Sequence, residues 1–118
     1  MTTRSFRIVV RGAFRGLSQE QRAGLLAEAD AHDILGAAFT PDGHLTYDLA
    51  FRPAFTFRFL DGGEREADLP PAVERAEAAA RTWLDERGYQ YTELKSRGED
   101  QSEAPLGKRQ RREARKGV

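Results

Sequence analysis

The succession strand, helix, two or three strands, helix, strand predicts an α+β fold. The expected form is a ferredoxin-like βαββ(β)αβ antiparallel sheet with two helices on one face. Three observations carry that prediction. Phe6, Ile8 and Val10 alternate with Arg7, Val9 and Arg11, the period of a half-buried strand. Ser18 and Gln21 form a capping box ahead of the stripe Leu25, Leu26 and Ala29. Val73, Ala76, Ala80, Trp83 and Leu84 mark a second helical face, opened by Pro70 and Pro71 and closed by Gly88.

The first helix is expected to run to about His32. The stretch "ILGAAFTPDGHLTYDLAF" then reads as a hairpin around Pro41, Asp42 and Gly43. That register sets Leu35, Ala37 and Phe39 opposite Leu49, Tyr47 and Leu45, all on the core face. Phe51, Phe55, Phe57 and Phe59 keep the same parity. A three- or five-residue turn around Pro53 followed by a strand over 55–60 holds these aromatics inside, with one strongly bent strand as the alternative. The stretch "YQYTELKS" supplies the last strand, with Tyr89 and Tyr91 on one side.

The 118 residues suit one domain. The expected bounds are residues 1–97 for the α+β domain and 98–118 for a disordered basic tail. No run of roughly 18 apolar residues marks a membrane span, and the N-terminal stretch lacks the pattern of a signal peptide. Cysteine is absent, which removes disulfides, thiolate nucleophiles and cysteine zinc sites together. A cytoplasmic protein without cofactor or metal is the expectation. The formal net charge of zero hides an asymmetry. Lys108, Arg109, Arg111, Arg112, Arg115 and Lys116 crowd the C-terminus, and the rest of the chain is acidic.

Two resemblances follow from these segments. Over nearly the full chain, above all in "RGAFRGLSQEQRAGLLAEADAHD", "AAFTPDGHLTYDLAFRPAFTFRF" and "APLGKR", the sequence resembles a family of small, functionally uncharacterised actinobacterial proteins. That resemblance implies no activity. Residues 8–43 resemble a degenerate acylphosphatase. The cradle of that family reads V-x-G-x-V-Q-G-V-x-F-R, and a later N-x-x-D-G leads into a hairpin. Val10, Gly12, Phe14, Gly16 and Leu17 follow the first pattern, and Asp42 and Gly43 end the second. The phosphate-binding arginine of the family falls on Glu20, and its water-positioning asparagine on Phe39.

Phosphoryl transfer needs cations on the equatorial oxygens and a group that orients water. A carboxylate at position 20 reverses the first interaction, and a phenylalanine at position 39 cannot supply the second. Arg15 and Arg22 lie nearby, but Arg22 projects about 200° around the helix from position 20. The resemblance therefore implies an old scaffold without its hydrolytic chemistry.

Gly12, Ala13, Phe14, Arg15, Gly16, Leu17 and Ser18 remain a candidate anion loop, because their amides precede a helix N-terminus. His32 and His44, the only histidines, lack metal-ligand spacing and read as surface residues. The opposite sheet face carries Arg7, Val9, Arg11, Thr46, Asp48, Thr56 and Arg58. Ferredoxin-like RNA binders present aromatics on that face, whereas every strand phenylalanine here has the other parity. A homodimer through the open sheet face and a phosphate-like anion are the expected partners. A membrane is not expected and nucleic acid is disfavoured, although the six basic tail residues supply weak, salt-dependent charge. The function expected is a non-catalytic binding or interaction module. Residual acylphosphatase-like hydrolysis and nucleic-acid binding through the tail are the alternatives.

Overall fold

The first strand, β1 (Arg4–Arg15), buries Phe6, Ile8, Val10 and Phe14 and leaves Arg7 and Arg11 exposed. In this computed structural model, which describes residues 4–101, β1 lies inside the sheet. Helix α1 (Gln19–Ala27) and two single 3₁₀ turns (Ala29–His32 and Ile34–Gly36) lead to β2 (His44–Asp48). Strand β3 (Arg52–Gly63), a 3₁₀ turn (Glu66–Asp68) and helix α2 (Leu69–Glu86) follow. Strands β4 (Gln90–Tyr91) and β5 (Lys95–Asp100) end the described chain.

β1 pairs antiparallel with β3 on one side and with β4 and β5 on the other, and β2 closes the β3 edge. With β4 and β5 acting in tandem as one last strand, the order is that of the ferredoxin-like α+β fold. Side chains of both helices enter one core with Phe6, Ile8, Val10, Phe55, Phe57 and Phe59. Ala72, Ala76 and Ala80 of α2 are small enough to bring that helix close to the phenylalanine-rich sheet. No helix among the described residues is long and apolar enough to cross a membrane.

The capping box forms as expected: the Gln21 amide donates to Ser18 Oγ and the Ser18 amide to Gln21 Oε1, both at 3.0 Å. Helix α1 ends at Ala27 rather than near His32, because the chain tightens into the turn that carries His32 to β2. Its ring Nδ1 lies 2.8 Å from the Leu45 carbonyl oxygen, so this histidine ties the α1–β2 connection to the sheet edge.

The hairpin expected over residues 35–49 does not form. Thr40 and Gly43 do close a turn, with the Gly43 amide 3.1 Å from the Thr40 carbonyl oxygen and Gly43 at φ +88°. Ahead of it, however, Asp33 accepts from the Leu35 amide at 2.9 Å and winds residues 34–36 into a 3₁₀ turn. Leu35 is 93% exposed, and only Thr40 bridges to β3, beside Phe59. The true partner of β2 is β3, through a turn at residues 49–51.

The turn expected around Pro53 therefore comes earlier, and the main β2–β3 ladder pairs about residue 51, two residues before Pro53. The even shift preserves parity, so Leu45 and Tyr47 still oppose Phe57 and Phe55 in the core, but Phe51 is 78% exposed. Pro53 sits where the register shifts, a position that requires no ladder donor.

The last strand also differs from expectation. Residues 92–94 interrupt it, Leu94 turns inward, and the alternation slips by one residue. β5 then extends to Asp100, beyond the expected boundary at 97, with Ser96 and Gly98 on the helix side. No apolar residue marks it because Leu69 and Val73 of α2 fill the space above Gly98, where a Cβ would meet Val73 at 2.6 Å. Arg4 and Asp100 join the two strand ends at 2.6 Å.

Candidate functional site

The residues from Gly12 to Ser18 divide between a strand and a short connection. Gly12, Ala13, Phe14 and Arg15 belong to β1, which runs further than its apolar alternation suggests. The Ala13 amide donates to Thr92 Oγ1 at 3.0 Å, while Phe14 and Arg15 ladder with Tyr91 and Gln90. The Ser18 amide is taken by Gln21. A phosphate cradle needs several amides aimed at one point; here those of Ala13 and Ser18 are aimed at different side chains. Gly16, at φ +53°, makes the turn into α1, and Leu17 packs against the core.

Gly12 has a packing reason to be glycine, since an added Cβ would stand 2.7 Å from Phe55 Cζ and 3.0 Å from Leu94 Cδ2. Arg15 is exposed at the end of β1, and Arg22 is exposed on α1. Glu20 occupies the first turn of α1, where its carboxylate suits the helix dipole.

Phe39, expected in the core, lies instead by the open face of the sheet. The Arg7 guanidinium carbon is 5.1 Å from its ring centroid, and Arg7 projects opposite to Phe6 and Ile8. The two histidines hold the same connection in place. His44 Nε2 is 3.1 Å from the Ala31 carbonyl oxygen, and its Nδ1 accepts from the Ala38 amide at 3.2 Å. Both rings are thus partly buried staples rather than free surface groups.

The open face becomes coherent once the register is known. Lys95, Arg11, Thr56 and Thr46 form one row across four strands. Arg97, Val9, Arg58 and His44 form the next, and Glu99, Arg7 and Leu60 a third. Rows two residues apart along a strand are separated by about 6.8 Å.

Five cations thus share one face, although residues 4–101 hold 13 basic against 17 acidic side chains. Among the described residues, none of Arg7, Arg11, Arg58, Lys95 and Arg97 joins an ion pair. Arg58 donates to Thr46 Oγ1 at 2.7 Å. Burial, and then the charge of Arg11, lowers its pKa.

Next to this track is a hollow of ≈ 170 Å³. Its polar lining comes from Thr46, Tyr47, Asp48, Arg52 and Thr56, and its apolar lining includes Ile34 and Phe51. The Arg52 guanidinium lies 5.4 Å from the Phe51 ring centroid. Lys95 was absent from the sequence-derived face because the slip at residues 92–94 changes which side it occupies, and Arg97 because the expected strand ended at Ser96. Leu94, alone among the polar residues 92–100, is the one sequence signal of that slip. The basic tail residues Lys108, Arg109, Arg111, Arg112, Arg115 and Lys116 lie outside the described residues.

Fold and face together define a ferredoxin-like α+β protein with a cationic open sheet. The chain belongs to DUF6204, a family of unknown function whose model matches residues 1–112. No curated protein and no solved structure matches it.

Proposed function

We propose that this chain is a cytoplasmic, non-catalytic binding module that takes an anionic ligand on its open sheet face. The observation that carries this reading is the set of five cations on one face of an otherwise acidic body, which outnumber the carboxylates Glu99 and Asp48 there and join no ion pair among the described residues. Two unit charges about 7 Å apart repel by about 0.6 kcal/mol in a water-like dielectric. A polyanion removes that repulsion and is steered to the face by its field. A face-to-face homodimer would instead bring two copies of this cationic face together. Hydrolysis finds no support at positions 20 and 39, where a carboxylate and a hydrocarbon ring stand.

Heparin retention of the full chain tests the reading. The double variant Arg11→Gln/Arg97→Gln is expected to elute at lower salt than wild type. A full-length variant with the six basic tail residues changed to glutamine separates the contribution of the tail. Unchanged elution of the double variant, in both the wild-type and the neutralised-tail backgrounds, would overturn the proposal.

A further inference from the structure

We infer that the anionic ligand is a single-stranded nucleic acid, with one unpaired base seated against Phe51 in the Thr46–Asp48–Thr56 hollow and its phosphates on Arg11, Lys95, Arg58 and Arg97. The inference rests on the anion-binding reading and adds the class of ligand. Nucleic acid was disfavoured from sequence because the strand phenylalanines face the core, and in the structure they do. The aromatics available to the open face come from outside the strands. Phe51 stands exposed in the turn after β2, and Phe39 lies against Arg7 at the far end of the cationic track. Neither could be assigned there while both were placed by strand parity.

The hollow discriminates between kinds of polyanion. Asp48 and Arg52 both line it and are exposed, so their opposite charges offset and the hollow itself has no excess positive charge to hold a phosphate or an acidic side chain. A base carries no charge, offers amino hydrogens to Asp48 and the Thr56 hydroxyl, and has a π-face for Phe51; Thr46 is buried, and its hydroxyl is taken by Arg58. Arg11 directly opposes Thr56 in the ladder, which puts the first cation beside the hollow, with Lys95 the next strand over. The row of Arg58 and Arg97 lies one two-residue step further along. An aromatic platform continuous with a cationic track is the arrangement that binds unpaired strands, where stacking on an aromatic contributes about 1–3 kcal/mol per base. In a duplex the bases are stacked inside and cannot reach the hollow.

Fluorescence anisotropy with the full chain tests this. The probes are labelled ten-nucleotide RNA and DNA of mixed sequence, each single-stranded and annealed to its complement, with poly-L-glutamate as competitor. At least one single strand is expected to bind at least tenfold more tightly than its duplex. Phe51→Ala is expected to weaken that binding about tenfold, while Phe51→Trp retains it. Because Phe51 is exposed in a turn, both variants should keep the wild-type circular dichroism spectrum. Arg97→Gln should make the log–log salt slope shallower by about 0.7, the value of one phosphate contact on a single strand.

Absence of single-strand binding, or binding that Phe51→Ala leaves unchanged, would overturn the inference. If poly-L-glutamate or duplex then bound in an Arg97-dependent way, the broader anion reading would survive. If no polyanion responded to Arg11→Gln or Arg97→Gln, both would fall.

Discussion

A Cβ placed on Gly12 would stand 2.7 Å from Cζ of Phe55, its neighbour across the β1–β3 ladder. The glycine is therefore occupied by the core, whatever its loop binds. Gly12→Ala is expected to cost about 1–3 kcal/mol, the usual penalty for forcing extra volume into a packed interior. Chemical denaturation would register this as a lower midpoint at unchanged slope. A midpoint equal to wild type would show that the Phe55 ring can move aside, and would return Gly12 to the list of residues kept for the loop.

Tyr47 connects β2 to α1 by donating its hydroxyl to the Leu25 carbonyl oxygen. Burial, followed by Glu28 and Tyr89, pushes its pKa from 10.0 up to about 12. The neutral phenol is thus the form the fold favours. Its contribution is complete below pH 10 and is lost as pH rises from about 10 to 12. Tyr47→Phe should lower stability by about 1 kcal/mol at pH 7. Against wild type, the variant should show a smaller fall in thermal midpoint between pH 9 and 11.5. Parallel alkaline limbs would exclude Tyr47 as their source; Tyr89, also raised by burial, remains in the variant.

The element order, the capping box and the inward phenylalanines of β1 and β3 were legible because each depends on local periodicity. Phe39 and Phe51 were not, for a different reason. Their parity matched the core, but parity has meaning only while the chain remains extended. Asp33 converts the approach to Phe39 into a 3₁₀ turn, and Phe51 falls in the β2–β3 turn itself. Lys95 was lost to the opposite error, a strand read through an interruption at residues 92–94, and Arg97 to a strand ended at Ser96. Arg7, Arg11 and Arg58 could be placed on the open face from sequence, yet the track and its hollow needed the missing four residues.

Asp68 is expected to make the fold sensitive to acid. Its Oδ2 accepts from the amides of Glu64 at 2.8 Å and Arg65 at 3.0 Å, closing the connection before α2. Those two bonds, ahead of the nearby arginines, hold its carboxyl below the ordinary 3.8. With the folded value depressed, the stabilisation is present above pH 3.8 and is lost as pH falls through the lower native value. Asp68→Asn keeps an acceptor but cannot titrate. Its thermal midpoint should therefore decline less than that of wild type between pH 5 and 2.5. Identical declines would assign the acid limb to other carboxylates.

Arg11 should trade stability against binding. It lies diagonally across the ladder from Arg58, at the position two residues beyond its direct partner Thr56. Such diagonal neighbours are about 7–8 Å apart. Arg58 is tethered to Thr46 and cannot swing fully away, and its lowered pKa has the Arg11 charge as its second cause after burial. Removing one of two like charges on an exposed sheet face relieves about 0.3–0.5 kcal/mol. For a domain of this size that corresponds to about 1–4 °C in thermal midpoint. Arg11→Gln should therefore melt higher than wild type at 20 mM salt, and the gain should shrink at 0.5 M, where the Debye length is only a few ångströms. The same variant should lose affinity for heparin. Arg22→Gln, on α1 away from this track, supplies the control and should do neither. A lower midpoint for Arg11→Gln at low salt would mean that Arg11 is held by attraction rather than repulsion, and that the face is already satisfied without a ligand.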